Sequence, residues 1–154
     1  SLSLLFLIII VQSLRQNKMK RRKLLNRHLS SLIASLGHLD EIVVTDAGLP
    51  APKGVEIIDL AIIPGLPRFH DVLRALRTEL IIEEAIYARE IAPTALQDIK
   101  KELDLWSSEI EAPIISKQVS HEELKQRTAK SKAIIRTGEV TPYANIILVS
   151  GVAF

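Results

Sequence analysis

The sequence predicts an α/β fold with three layers, α/β/α, around a central sheet that is mostly parallel or mixed. Short apolar segments typical of buried strands alternate along the chain with stretches whose apolar residues recur every three or four positions, as on one face of a helix. The chain has 154 residues, of which 47% are hydrophobic and 25% charged, so one domain with a core of its own is expected.

The first helix and the first strand are marked at both ends. Asn26 suits the cap of a helix, and Gly37 suits the position just past its end. The apolar stripe of this helix consists of Leu29, Leu32, Ile33 and Leu36. The segment 42–44 is then typical of a buried strand, and Asp46-Ala47-Gly48 predicts a turn at its carboxyl end.

The middle of the chain predicts a strand, a helix and a second strand. Residues 56–63 favour a strand that Pro64-Gly65 ends, and Pro67 is expected to open the next helix. The stripe of that helix consists of Phe69, Val72, Leu73 and Leu76. Residues 79–91 mix strand and helix signals, and we expect a strand through about Tyr87.

The last third of the chain alternates in the same way. Pro93 begins a helix with one apolar side, which ends with Trp106 and predicts that this indole packs in the core. Ile114-Ile115 predicts a short strand. Ser120 and Glu123 form a capping-box pattern that places His121 in the first turn of a helix. Strands are predicted at 133–136 and 145–149, and the second is apolar enough to lie centrally.

The first 18 residues differ from the rest. The apolar run 2–11 is shorter than the roughly 20 residues of a membrane-spanning helix, and basic residues follow it instead of preceding it, unlike a signal peptide. We expect 1–18 to be an extension outside the functional domain, with Met19 at or near the natural start and 19–154 a single domain. The alternative is a targeting or membrane-associated tail.

Composition excludes several classes of function. The net charge is +2, and residues 1–18 contribute Arg15 and Lys18 without an acid, so the remainder is neutral and predicts no nucleic-acid surface. Aromatic residues make up only 4%, so we do not expect a surface on which nucleic-acid bases stack against aromatic side chains. The absence of cysteine excludes disulfides and thiolate chemistry and fits a reducing compartment.

The chemistry suggested by the residues is proton transfer. The sequence has no glycine-rich phosphate loop, no HExxH metal motif and no G-x-S-x-G elbow. The candidate groups that remain are His38, Asp46, His121, Tyr143 and Asn145, which suit a neutral ligand with many hydroxyls and require no cofactor or metal. Each also has a plain structural explanation: a helix end for His38, a turn for Asp46, a solvent-facing first turn for His121, a rim aromatic for Tyr143 and a turn residue for Asn145.

Three blocks of the sequence together resemble the D-ribose pyranase family, which includes the fucose mutarotases. The blocks are residues 36–50, 120–124 and 135–148, and the resemblance runs from about Met19 to Phe154. It implies a sugar mutarotase that interconverts the pyranose and furanose forms of D-ribose without a cofactor. It also implies a cytoplasmic protein with no nucleic-acid or membrane partner.

The resemblance also assigns roles to residues. His38 matches the proton donor of the family, and Asp46, His121 and the segment Tyr143-Ala144-Asn145 match its sugar-binding positions. Family members form ring-like homo-oligomers, commonly decamers, with the site at a subunit interface. We therefore expect His38 and the segment 143–145 to meet across two chains.

Three other functions compete with this interpretation. A fucose mutarotase of the same family would use the same residues on another sugar. A non-catalytic ribose-binding accessory protein would bind the sugar without accelerating its conversion. A membrane-associated regulatory protein is suggested only by the apolar run at the start of the chain.

Overall fold

The computed structural model of the chain describes residues 3–9 and 23–154. Residues 3–9 are helical and exposed. Residues 1–2 and 10–22 lie outside the described residues. They include the predicted start at Met19 and the rest of the predicted extension 1–18. Across the two described ranges, no helix combines the length and apolar content needed to cross a membrane.

From residue 23 onward, four helices alternate with six strands. The helices are α1 (Arg27–Ser35), α2 (Phe69–Arg77), α3 (Pro93–Ile110) and α4 (His121–Thr128). The strands are β1 (Glu41–Thr45), β2 (Glu56–Asp59), β3 (Ile82–Ala88), β4 (Ile115–Val119), β5 (Ala133–Arg136) and β6 (Ile146–Ser150).

The six strands form one mixed sheet in the order β2-β5-β1-β6-β3-β4. Strand β6 is antiparallel to both of its neighbours, β1 and β3. The other pairs, β2 with β5, β5 with β1 and β3 with β4, are parallel. Five strands therefore run in one direction and β6 runs against them from the centre, which confirms its predicted central position.

Helices cover both faces of the sheet, which confirms the three-layer α/β/α prediction. Helices α1, α2 and α3 pack on one face and enclose the larger core, to which Ile42 and Val44 point from β1. Helix α4 packs on the other face, where Leu124 meets Val43 and Ile147 in a smaller core. Consecutive β1 side chains thus enter opposite cores, as strand geometry requires.

The predicted helix ends are largely confirmed. The Asn26 side chain accepts a hydrogen bond from the Leu29 N–H at 3.0 Å, and Pro93 is the first residue of α3. Ser120 Oγ accepts from the Glu123 N–H at 3.1 Å, so half of the predicted capping box forms. Trp106 is fully buried, and its indole N–H donates to the Leu80 carbonyl at 2.8 Å.

Strand β2 is shorter than predicted, because it ends at Asp59 instead of Ile63. Its partner strand is β5, which itself ends at Arg136, so the chain beyond Leu60 has no ladder to join. Residues 60–66 instead form a tight turn, in which the Ile62 N–H donates to the Leu66 carbonyl and the Leu66 N–H donates to the Ile63 carbonyl, both at 3.0 Å.

The bounds of β4 and α2 also differ from prediction. Strand β4 runs from Ile115 to Val119, longer than the predicted Ile114-Ile115. It is an exposed edge strand that buries little, so its central residues are polar and the sequence pattern did not indicate its full length. Helix α2 begins at Phe69 instead of Pro67, because Arg68 is its cap and the Arg68 N–H donates to the Asp71 carboxylate at 3.1 Å.

Gly138 allows the turn 60–66 to lie against the end of β5. A Cβ atom at this position would stand 2.4 Å from the carbonyl oxygen of Leu66 and 2.8 Å from that of Ile63. The Gly138 N–H donates to the Pro67 carbonyl at 2.8 Å, and the Gly138 carbonyl accepts from the Gly65 N–H at 2.6 Å. Any side chain here would push two backbone segments apart.

We therefore expect Gly138→Ala to lower the free energy of unfolding by about 1–3 kcal/mol, the usual cost of forcing extra volume into a packed site. The matched control is Gly37→Ala, whose Cβ would meet only the Asp40 carboxylate at an ordinary 3.6 Å. Urea denaturation of both variants measures the difference. Equal stability of the two variants would contradict the packing argument.

Candidate active site

A cleft of about 570 Å³ opens at the edge of the sheet where the five parallel strands end and the reversed strand β6 begins. We call this the carboxyl edge. The cleft is lined by Asp46, Ala47, Gly48, Leu49, Pro50, His121, Lys125, Glu139, Val140, Pro142 and Tyr143. The loops that follow β1 and β4 therefore meet the loop that joins β5 to β6. They do so at the edge where α/β sheets usually bind ligands.

Asp46 lies at this edge, directly after β1, as predicted. Its Oδ1 accepts hydrogen bonds from the N–H groups of Gly48 and Leu49, at 3.0 and 2.9 Å. Asp46 is thus both the turn former that the sequence suggested and a carboxylate on the cleft wall. The Oδ2 atom takes part in none of the hydrogen bonds of the described residues, so it is the oxygen that can accept from a ligand hydroxyl.

Asn145 is fully buried, and its side chain holds the backbone of Asp46 at the cleft. Its Oδ1 accepts from the Asp46 N–H at 3.0 Å, across 99 residues of sequence. Its Nδ2 is buried and has no hydrogen-bond partner among the described residues. Ala144 is also buried and packs into the larger core, so neither side chain is among those that line the cleft.

His121 and Tyr143 meet on one wall of the cleft. Their ring centroids are 4.9 Å apart and their planes cross at 78°, a favourable edge-to-face contact. His121 is the first residue of α4, and its N–H donates to the Glu90 carboxylate at 2.8 Å. Tyr143 has a φ of 63°, which few residues other than glycine adopt and which is often found at functional sites.

The His121 Nδ1 atom is also buried without a hydrogen-bond partner among the described residues. Buried polar atoms are almost always paired in native proteins, so an unpaired one calls for an explanation. His121 Nδ1 and Asn145 Nδ2 both belong to residues that the sequence selected as candidates. His121 lines the cleft, and a polar ligand bound there would account for its unpaired nitrogen.

Sequence reasoning did not select Glu139 or Lys125 for the site. Glu139 accepts from the Phe69 N–H at 3.2 Å and from the Thr141 hydroxyl at 3.0 Å, so it ties α2 to the loop before β6. Lys125 lies one turn after His121 and forms an ion pair with Glu122 at 2.7 Å, which holds the pKa of Glu122 below its ordinary value. The i, i+4 spacing of His121 and Lys125 was the available signal.

His38 lies at the opposite edge of the sheet, where the parallel strands begin. We call this the amino edge. His38 comes before β1 and Asp46 after it, and a five-residue strand with a rise of about 3.3 Å per residue separates the two by roughly 16 Å. Within one chain, His38 therefore does not reach the cleft that holds the other candidates.

The surroundings of His38 are polar and half-exposed. Its Nε2 lies 3.0 Å from the Glu83 carboxylate. Nearby, Asp40 accepts from the Gly37 N–H at 2.7 Å, and this bond, with the charge of Lys132, holds the pKa of Asp40 below its usual value. No group of three His, Asp or Glu side chains within residues 3–9 and 23–154 is arranged to hold a metal ion.

The chain matches the RbsD / FucU transport protein family over residues 19–153. It belongs to this family. Two relatives named D-ribose pyranase, from Aeromonas salmonicida and Coprothermobacter proteolyticus, are each 50% identical to it. Both alignments cover 88% of this chain and the whole of the relative.

Two solved structures share the fold of this chain. The Bacillus subtilis RbsD structure, complexed with D-ribose, superposes with a TM-score of 0.74 at 48% identity, over 84% of this chain and 95% of that one. The Streptococcus pneumoniae fucose mutarotase in complex with L-fucose superposes with a TM-score of 0.70 over 85% of this chain and 95% of that one. At 20% identity, the second comparison demonstrates the common fold alone.

The bond between Asn145 and the Asp46 N–H yields a prediction about the cleft loop. We expect Asn145→Ala to leave that N–H unpaired, to cost about 1–3 kcal/mol of unfolding free energy and to speed amide exchange at Asp46. Asn26→Ala is the control, since Asn26 holds the Leu29 N–H at the same 3.0 Å but lies outside the cleft.

Hydrogen exchange followed by NMR and urea denaturation measure both effects. Asn26→Ala should cost a similar amount of stability, about 1 kcal/mol, and should leave exchange at Asp46 unchanged relative to the global stability. Unchanged exchange at Asp46 in Asn145→Ala would show that the side chain does not hold the loop.

Proposed function

We propose that this protein is a D-ribose pyranase, which interconverts the pyranose and furanose forms of D-ribose. The observation that carries the proposal is the 50% identity, over their whole length, to relatives that bear this name. The B. subtilis RbsD complexed with D-ribose supports the choice of sugar at 48% identity. Fucose remains the alternative sugar, but the fucose mutarotase structure is only 20% identical.

The cleft has the polar groups that a small sugar needs. Asp46 offers a free carboxylate oxygen, His121 a buried ring nitrogen and Tyr143 a phenol, and each can bond to a sugar hydroxyl. Leu49, Pro50, Val140 and Pro142 add apolar walls against which the C–H face of a sugar can lie. We infer that Asp46, His121 and Tyr143 bind the sugar directly.

Asn145 and Ala144 complete the proposed binding segment in a different way. Asn145 holds the Asp46 backbone, and Ala144 anchors the segment in the core. We therefore assign them a supporting part through their side chains, beside any contact that their backbone makes with the sugar.

The reaction needs one acid and one base. His38, as imidazolium, gives a proton to the ring oxygen while the bond from that oxygen to the anomeric carbon breaks and its electron pair stays on the oxygen. A base takes the proton of the anomeric hydroxyl, and an aldehyde forms. The hydroxyl of the fourth carbon then adds to the aldehyde, its proton returns to His38, and the base returns its proton to the former aldehyde oxygen.

The cleft offers two basic atoms for the second role. They are the free Oδ2 of Asp46 and the Nδ1 of His121. No proton is gained or lost over the whole cycle, so the reaction consumes nothing. Imidazole suits the exchange because its reference pKa lies near 6.5.

The position of His38 supports the proposal that a complete site combines two subunits. His38 lies at the amino edge of its own sheet and the cleft at the carboxyl edge, so we propose that the amino edge of one subunit faces the carboxyl edge of its neighbour. Such a contact joins two different surfaces, and repeated head-to-tail contacts of this kind form a ring when the rotation between successive subunits closes. This agrees with the ring-like homo-oligomer, commonly a decamer, that we expect for the family.

Exposed apolar residues occur at both edges. Ile63 and Leu66 are 60% and 48% exposed in the turn that rests on Gly138, and Val140 is 63% exposed on the cleft wall. At the amino edge, Leu39 is 57% exposed directly after His38. Apolar surface on both sides of the proposed contact supports an interface there.

The proposal places the protein in the cytoplasm, where furanose ribose would pass to a kinase. The chain has no cysteine, which fits a reducing compartment. The proposed ligand and partners are therefore the sugar and further copies of the same chain.

The first test follows pyranose–furanose exchange of D-ribose by saturation-transfer NMR. We expect the wild type to accelerate exchange and His38→Ala to lower the catalysed rate by about 100-fold, a typical contribution of a positioned acid–base group. His28→Ala is the control, because His28 is an exposed residue of α1. If the wild type binds ribose without accelerating exchange, the protein is a ribose-binding module instead.

The second test mixes two inactive variants in one oligomer. Subunits carrying His38→Ala retain the cleft, and subunits carrying Asp46→Asn retain His38. If the site combines two subunits, random co-assembly restores about a quarter of the sites.

Co-assembly of Asp46→Asn with Tyr143→Phe is the matched control. Both substitutions affect the same cleft, so no mixed oligomer contains an intact one. Restoration in neither mixture would show that His38 and the cleft do not come from different subunits.

A further inference from the structure

The His38 imidazole has a carboxylate partner that the sequence did not reveal. Glu83 Oε2 lies 3.0 Å from His38 Nε2, across 45 residues of sequence. Glu83 belongs to β3 and His38 precedes β1, and the two strands are separated by β6. Their side chains meet over the end of β6 at the amino edge.

Two backbone irregularities bring this pair together. In the ladder between β3 and β6, Ile82 pairs with Ser150 and Glu84 with Val149, so Glu83 is the extra residue of a β-bulge. Bulges redirect a side chain and are common beside active sites. On the other side, Leu39 has a φ of 70°, which is unusual for a branched side chain.

Ser150, the last residue of β6, holds both irregular segments. The Leu39 N–H donates to the Ser150 carbonyl at 2.9 Å, and the Ser150 N–H donates to the Asp40 carbonyl at 2.8 Å. The next residue, Gly151, donates its N–H to the Ile81 carbonyl at 2.9 Å, just before the bulge. The positions of His38 and Glu83 are thus set by the backbone, which distinguishes them from two long side chains that meet at a surface by chance.

The partner determines which ring nitrogen of His38 is free. An ionised carboxylate only accepts hydrogen bonds, so Nε2 must carry a hydrogen. In the neutral imidazole the other nitrogen, Nδ1, is then the basic one. The hydrogen bonds of the described residues include none to His38 Nδ1.

We propose that Glu83 is a positioning residue for His38, which keeps Nε2 protonated and leaves Nδ1 to exchange protons with the sugar. This inference rests on the proposed function. Nδ1–H gives its proton to the ring oxygen as the ring opens and recovers one from the attacking hydroxyl as the furanose closes. Glu83 keeps its own charge throughout and stabilises the imidazolium form by a charge-assisted hydrogen bond.

A solvated ion pair is the competing explanation. His38 and Glu83 are 50% and 43% exposed, and pairs this open to water usually contribute little to stability. The proposed contact with the neighbouring cleft would remove water from the pair and strengthen the bond. The test must therefore measure the tautomer itself in the full-length oligomer and not only stability.

The experiment combines ¹⁵N NMR of histidine-labelled protein with ribose exchange kinetics. At mildly alkaline pH, where imidazole is neutral, the chemical shifts of Nδ1 and Nε2 report the tautomer directly. We expect the wild-type His38 to hold its hydrogen on Nε2. We expect Glu83→Gln to mix the two tautomers, because the amide can donate as well as accept.

In the kinetics, Glu83→Gln should lower the catalysed exchange rate by about tenfold, the effect of losing one charge-assisted hydrogen bond, with little change in ribose affinity. The matched control is Glu84→Gln, which removes the same charge from the adjacent residue. Glu84 pairs with Lys117 at 2.7 Å, and no hydrogen bond or ion pair of the described residues joins it to His38. The control should leave both the tautomer and the rate as in the wild type.

The proposal is overturned if wild-type His38 carries its hydrogen on Nδ1. This measurement uses the wild type alone, so it does not depend on whether a variant folds. An unchanged tautomer and rate in Glu83→Gln would overturn it as well. Failure of the proposed function is a separate result: the wild type would then not accelerate ribose exchange, while the tautomer would still show whether Glu83 orients His38.

Discussion

The reversed strand β6 is the constraint on which the rest of the structure depends. It lies between β1 and β3 and runs against both, so its first residues arrive at the edge where the other strands end. There Asn145 binds the Asp46 backbone and Tyr143 meets His121. At its far end, Ser150 forms backbone hydrogen bonds with Leu39 and Asp40, directly after His38. A parallel β6 would exchange these two ends and dismantle both groups of residues.

This arrangement separates the proposed chemistry into two parts. The groups suited to hold a sugar are at the carboxyl edge, and the imidazole proposed as the acid, with Glu83, is at the amino edge. An isolated subunit in this fold cannot bring them together, because the rigid sheet lies between them. Assembly would then be part of the catalytic mechanism, since each subunit would supply the acid for its neighbour and receive one in turn.

Local sequence signals predicted the element types well and some boundaries poorly. Asn26, Pro93 and Ser120 mark helix starts because the interactions they make are with residues a few positions away. The predicted ends of β2 and β4 were wrong because a strand ends where its partner strand ends. That partner comes from a distant part of the chain, and an edge strand such as β4 also lacks an apolar pattern.

The sequence by itself determined the α/β class, the central position of β6, the family and the identity of the candidate polar residues. Only the tertiary structure decided that Asp46, His121 and Tyr143 share one cleft while His38 lies at the other edge, since strand direction is not encoded in local periodicity. It also revealed Glu139 and Glu83, which nothing in their neighbourhood distinguishes from surface glutamates. Phe69, which donates to Glu139, lies 70 residues away, and His38 lies 45 residues from Glu83. Such contacts exist only once the sheet has formed.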